Sequence, residues 1–385
     1  MAMTEKTVFF DHNSTTALKP QVLEAMLPWL SQSTGNPTSR HVYGRNARDA
    51  MELARKHIAE CVGVQASQVI LTSGGTEANN FAVKGISANL SPSQLLMSAI
   101  EHPCVTRPAQ SLAWHDWQVA QIGVNAHGVI NLAQAEQALK VRTGLVSAML
   151  ANNETGAIQP VAELAKLAKA HGALLHTDAV QAFGKITVDM RALGVQAMTI
   201  SSHKIGGPIG VGALIVDKRV DIAPLLHGGG QERGLRSGTE NVAGIIGFAQ
   251  ACQLAMQSMA SRHTAVQQLR DQLESGLNTL GAVVFAQQAE RLPNTSFFAM
   301  PNIEGETLVT ALDKAGFAVA SGSACSSDST EPSHVLLAMG ISPDLARGAL
   351  RVSLSDSNSS EEITAFLAAL QQQVQRLKGL SAVAA

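Results

Sequence analysis

The chain has four cysteines in 385 residues, Cys61, Cys104, Cys252 and Cys325, and no two of them form a CxxC pair. That spacing offers neither a zinc site nor a disulfide framework, and a reducing cytoplasm is the expected compartment. Net charge is almost absent, at −2 with His neutral. A footprint for nucleic acid or an anionic membrane is thereby disfavoured, and a small-molecule or protein partner is favoured. No apolar run approaches a membrane span, and the start "MAMTEKTVFFDHN" is acidic and polar where a secretory signal is apolar. Neither G-x-x-x-x-G-K-[ST] nor a G-x-G-x-x-G after a strand occurs, which removes the two common nucleotide loops. The length suffices for a large core without metals or disulfides.

What is present is alternation. The runs "QVILTSGG", "QLLMSAIEH", "GLVSAMLANNE", "GALLHTDAV", "AMTISSHK" and "VGALIVDK" read as strands, with "ARDAMELARKHIAECVG" and "PVAELAKLAKAHG" as helices between them. This order predicts an α/β fold with right-handed crossovers and a mainly parallel sheet. One long helix, "ENVAGIIGFAQACQLAMQSMASRHTAVQQLRDQLESGLNTLG", leads into strands "AVVFA" and "TSFFAM", the helix "GETLVTALDKAG", the strand "ALRVSLS" and a last helix "EEITAFLAALQQQVQRL". The expected division is a large domain, residues 15–260, and a smaller α+β domain from 1–14 and 261–385.

Ligands of open α/β sheets sit at the carboxyl ends of strands, and here those ends read "TSGGTE", "IEHP", "ANNETG", "HTDAVQ" and "SSHK". In "TSGGTE" the backbone N–H groups and the Thr76 hydroxyl suit a phosphate, although Gly-Gly-Thr is also an ordinary helix start. Asp178 is either a turn former or the carboxylate partner of a cationic ring nitrogen. His176 alternates onto the same strand face, but no third ligand has metal-site spacing, and no metal is expected. His102 reads as a core histidine or as a group stacked on a flat cofactor. Lys204 precedes glycines at 206, 207, 210 and 212. It is either a surface lysine opening a turn or a Schiff-base lysine, the glycines then admitting a bulky cofactor to the backbone. "GGGQERGLRSGTEN", residues 228–241, reads as an interface or active-site loop. Cys61 and Cys252 sit on helical patterns and read as core. Cys325, in "ASGSACSSDSTEPSH", has polar neighbours that suit an exposed nucleophilic thiolate.

Taken together, "DHNSTT", "GNPTSRH", "TSGGTEANN", "EHP", "NNETG", "HTDAVQ", "SSHKIGGPIGVGAL", "HGGGQERGLRSGTEN", "ASGSACSS" and "LRVSLS" resemble, in order and nearly end to end, the cysteine desulfurases. These are pyridoxal 5'-phosphate enzymes of the aminotransferase-like fold, PLP fold type I. The resemblance implies that the large domain binds the cofactor and the small domain carries the cysteine loop. It implies Lys204 as the Schiff-base lysine, His102 on the ring moving protons, Asp178 on the pyridinium nitrogen and Gln181 on the phenolate oxygen. Gly75, Thr76, Ser201 and His203 would hold the phosphate, with Thr239 supplied by the partner subunit of a homodimer. Asn153 and Arg351 would bind the substrate carboxylate, and Cys325 would take sulfur from L-cysteine as a persulfide, leaving L-alanine.

The "SGSAC" segment with its Ser-rich continuation resembles the subgroup with an extended cysteine loop. That subgroup serves iron–sulfur assembly and tRNA thiolation, so a sulfur-acceptor protein such as an iron–sulfur scaffold is the expected partner. Two departures bear on that acceptor. "DSNSSEE" follows "RVSLS" where a Gly-Arg pair is more usual, and the chain ends soon after its last helix. Selenocysteine lyase, sulfinate desulfinase, another class V aminotransferase and a catalytically silent scaffold are the competing readings.

Overall fold

The structure, a computed structural model, describes residues 7–322 and 331–384. In chain order its strands are β1 (Val8–Phe9), β2 (Val69–Thr72), β3 (Gln94–Ser98), β4 (Gln118–Ile122), β5 (Thr143–Ser147), β6 (Leu174–Asp178) and β7 (Ala197–Ser201). They continue with β8 (Gly212–Val216), β9 (Val283–Val284), β10 (Thr295–Ala299), β11 (Phe317–Ala318), β12 (Ala320–Ser321) and β13 (Ala349–Ser353).

Seven strands form one sheet in the order β2-β8-β7-β6-β5-β3-β4. Neighbours run parallel except around β8, which is antiparallel to both β7 and β2. It follows that β2, β3, β5, β6 and β7 all point their carboxyl ends the same way, so the polar strand-end motifs emerge at one edge. Strands β2, β3, β7 and β8 are buried at every position, which is why they read as unbroken apolar runs. Sequence patterning misses β4, because "QVAQI" is a half-exposed edge strand carrying two glutamines.

The predicted long helix is two helices, Val242–Gln257 and Met259–Thr279. Ser258 interrupts it, its hydroxyl donating to the Leu254 carbonyl at 3.0 Å and accepting from Arg262 at 3.1 Å, a local bond that competes with the helical ladder. Beyond the break, β12-β13-β10-β9 form an antiparallel sheet, and β1 pairs in parallel with β11. Phe298, Leu350 and Val352 of that sheet pack with Phe10, Leu273, Leu308 and Phe366 in a core of their own. The core against one face of the large sheet draws instead on residues from Val22 to Ala255, with Leu292 added.

Candidate active site

The strand-end motifs converge on a cavity of about 390 Å³. Gly75 and Thr76 reach it from the start of the helix Gly75–Asn80 that follows β2, His102 from the loop after β3, and Asn153 from the loop after β5. Asp178 and Gln181 line it from the end of β6, and Ser201, His203 and Lys204 from the end of β7. Arg351 comes from β13 and closes the wall from the second sheet.

Lys204 sits in a single helical turn, Ser202–Lys204, that the strand β7 delivers at the sheet edge. Its Nζ donates to the carbonyls of Asn13 at 2.6 Å and Ser14 at 2.5 Å. The segment around these carbonyls is tied down in turn, since Thr16 donates to the His203 carbonyl at 2.7 Å and accepts from the Gly206 N–H at 2.7 Å. The glycines after Lys204 are required by the protein's own packing and turns. A Cβ on Gly212 would lie 2.7 Å from the Gly74 carbonyl carbon, where β8 passes the loop after β2. Gly206 and Gly210 take left-handed φ of +80° and +81°.

Asp178 is buried, and both carboxylate oxygens are engaged: Oδ2 accepts from Asn79 at 2.6 Å and Oδ1 from the Val180 N–H at 2.9 Å. Burial pushes its pKa up, and Lys204 nearby partly opposes that. His102 caps the helix Pro103–Ser111, its Nδ1 accepting from the Cys104 N–H at 3.2 Å, which leaves the ring proton on Nε2. Burial, then Lys204, lowers its pKa to about 4, so the imidazole is neutral at physiological pH. His203 is lowered to about 4 by the same two causes, with Nδ1 on the Thr15 hydroxyl at 3.1 Å. His176 lies deeper: Ser147 at 2.9 Å and Thr199 at 3.1 Å occupy its two ring nitrogens.

The residues suit pyridoxal phosphate. Ser201 Oγ is buried at the cavity wall without a hydrogen-bond partner in the described residues, close to Gly75, where a phosphate oxygen would accept its proton. Arg351 donates to the Asn153 carbonyl at 3.0 Å and to Asp11 at 2.7 Å, while its buried Nε has no partner among the described residues. Asp11 thus anchors a guanidinium that lines the cavity.

Thr239 is exposed and does not line this cavity in its own chain. Its loop is clamped to two helices, Val42–Cys61 and Gly75–Asn80. Arg55 donates to both oxygens of Glu232, at 2.6 and 2.7 Å, and Arg236 does so to Glu77, at 2.8 and 3.1 Å. Cys325 lies outside the described residues.

Sequence reasoning missed four cavity or support residues. Asn13 bonds Asn153, Thr295, Gln181 and Lys204 and so joins segments that are remote in sequence; Asn79 holds Asp178; Lys185 holds Gln181. Asn13 and Asn79 do fall inside the quoted stretches "DHNSTT" and "TSGGTEANN", the only signal they gave. Cys104 is the fourth. Its thiol contacts His102 Nδ1 at 2.9 Å, and burial, then Asp178, pushes its pKa far up, so it stays a protonated thiol.

The family model for class-V aminotransferases matches residues 8–366. A cysteine desulfurase of Cereibacter sphaeroides is 43% identical over 97% of this chain and 97% of its own length. The cysteine desulfurase IscS of Dictyoglomus turgidum is 40% identical over 98% of this chain and 97% of its own. Among solved structures, a NifS-like protein superposes with a TM-score of 0.91 at 38% identity, covering 96% of this chain and 99% of that one. A structure described as SspA in complex with cysteine gives 0.81 at 32% identity, covering 91% and 99%. With this architecture and these relatives, the chain belongs to the class-V aminotransferase family and, within it, to the cysteine desulfurases.

Proposed function

We propose that the chain uses pyridoxal 5'-phosphate to take sulfur from L-cysteine, leaving L-alanine and a persulfide on Cys325. The observation that carries this is the convergence of Lys204, Asp178, Gln181 and His102 on one cavity, in a chain whose relatives are named cysteine desulfurases. Lys204 would hold the cofactor covalently, Asp178 its ring nitrogen and Gln181 its phenolate oxygen. Gly75, Thr76, Ser201 and His203 would hold its phosphate, with Thr239 from the partner subunit. When bound, the cofactor supplies an electron sink for charge developing at the substrate's alpha carbon.

The chain's own groups do the rest. Asn153 and Arg351 bind and orient the substrate carboxylate. The Lys204 amine would serve as the base that takes the alpha proton, and the carbonyls of Asn13 and Ser14 hold it at the cavity wall. Neutral His102 carries its proton on Nε2 and can donate it. The Cys325 thiolate attacks the substrate sulfur: a sulfur–sulfur bond forms, the carbon–sulfur bond breaks, and protons returned to the three-carbon fragment complete alanine.

The exposure of Thr239 outside its own cavity supports a homodimer with shared sites. The separate hydrophobic cores support the division into residues 15–260 and the small domain of 1–14 and 261–385. No helix among the described residues is long and apolar enough to cross a membrane, which accords with a cytoplasmic enzyme passing sulfur to an acceptor protein such as an iron–sulfur scaffold. The test is purified protein given pyridoxal phosphate and L-cysteine. Alanine and, with a thiol reductant, sulfide are expected in equal amounts. Pyruvate and ammonia in place of alanine, or no product, overturn the reading.

A further inference from the structure

The Gln181 amide offers one oxygen acceptor and two N–H donors, and the structure places a partner on the oxygen and on one N–H. Its Oε1 accepts from Lys185 Nζ at 2.9 Å, and its Nε2 donates to the Asn13 carbonyl at 2.9 Å. The Asn13 carbonyl cannot donate, so the amide atom facing it is Nε2, and Oε1 faces Lys185 Nζ, which donates to it. One Nε2 hydrogen remains without a partner among the described residues, on a buried side chain that lines the cavity. Lys185 is held by a second acceptor, Asn13 Oδ1 at 2.8 Å, which Asn294 also reaches at 3.0 Å. An amine offers enough hydrogens for both acceptors in either protonation state.

On these contacts the geometry points to Lys185 as a positioning residue for the cofactor, one that locks the Gln181 amide so that an N–H, and not the amide oxygen, meets the phenolate. This rests on the proposed cofactor reading. Without Lys185, the amide can turn and set Oε1 against a negative oxygen, losing a charge-assisted hydrogen bond. The groups surrounding Lys185 are Lys204, Arg351 and Arg262, with His12 and His263 beside it and Asp356 on the wall of an adjoining cavity of about 240 Å³. Burial and this positive surrounding lower the Lys185 pKa, which a donor role tolerates.

The test uses the cofactor-loaded protein and reads the pH midpoint of its visible absorbance, which a donor to the phenolate depresses. Lys185→Met is expected to raise the midpoint by about one pH unit, the worth of one hydrogen bond to a charged group. Lys185→Arg, which keeps N–H donors, should restore most of the difference. Gln181→Leu should raise the midpoint similarly, and Lys185→Met added to it should raise it no further. An unmoved midpoint in Lys185→Met, with an unfolding transition like that of the parent, overturns the inference. So do fully additive shifts in the double variant, which mean that Lys185 acts through its charge. If the parent protein takes up no visible cofactor, the cofactor reading itself fails.

Discussion

Asn79 donates its side-chain amide to Asp178 at 2.6 Å, and the two residues come from different strand-end motifs 99 positions apart. Asp178 would otherwise hold a buried charge with one backbone donor. Asn79 therefore keeps the carboxylate facing the cavity, where a cationic ring nitrogen would offset the burial that pushes its pKa up. Asn79→Ala should weaken cofactor binding by about tenfold or more, as expected for a hydrogen bond to a charged group worth about 1.5–3 kcal/mol. Fluorescence titration of the apo protein with pyridoxal phosphate measures it, and an unchanged affinity contradicts the role.

The Arg55–Glu232 pair is buried on both sides, and Glu232 also accepts from the Leu71 N–H at 2.9 Å. Glu232→Ala leaves the buried Arg55 guanidinium with the Val69 carbonyl and the half-exposed Glu52, and it strands the Leu71 N–H. Denaturant unfolding should show a loss of about 3–5 kcal/mol. Since this clamp seats the loop that carries Thr239, sedimentation should also show weaker dimerisation. A variant with parental stability would mean that the clamp is dispensable.

Glu101 is fully buried, with Oε1 accepting from Ser98 at 2.5 Å and from the Met149 N–H at 2.7 Å, and Oε2 without a partner in the described residues. Burial raises its pKa to about 8 from a reference of 4.5. Between those values the folded protein binds a proton that the unfolded chain releases, so this group's stabilisation is complete at acid pH and is lost as pH rises toward 8. Glu101→Gln, which mimics the protonated acid, should match the parent's Tm near pH 5 and exceed it near pH 8. The opposite order, or no difference at either pH, contradicts the protonated state.

His102 is neutral across about pH 6 to 8, because burial and Lys204 take its pKa to about 4. The pH profile of kcat/KM should show no inflection from it in that range, while His102→Gln should lower kcat by about a hundredfold if it moves protons. An inflection near pH 6.5 that vanishes in His102→Gln contradicts the assignment.

Legibility in the sequence followed burial. Strands such as "VILT" and "GALIV" are buried on both faces and announce themselves as apolar runs, whereas β4 is an exposed edge with little apolar pattern to read. The break at Ser258 lies inside a continuous helical pattern, since one hydroxyl bonding back to Leu254 leaves no trace in periodicity. In the cavity, residues that end strands were recognisable by place. Asn13 and Lys185 were not, because their roles arise from contacts such as Asn13 with Thr295, 282 positions away, which only the folded chain brings together.

The most direct measurement of the central claim is mass spectrometry of the cofactor-loaded protein after L-cysteine in the absence of reductant. Among the described residues the cavity is lined by one thiol, Cys104, which burial keeps protonated and therefore a poor nucleophile. One added sulfur per chain is expected, mapped to the peptide containing Cys325, with Cys104 unmodified and about one alanine released per active site before turnover stops. Sulfur found on Cys104, or a Cys325→Ser variant that releases alanine at the parental rate, would contradict the persulfide mechanism.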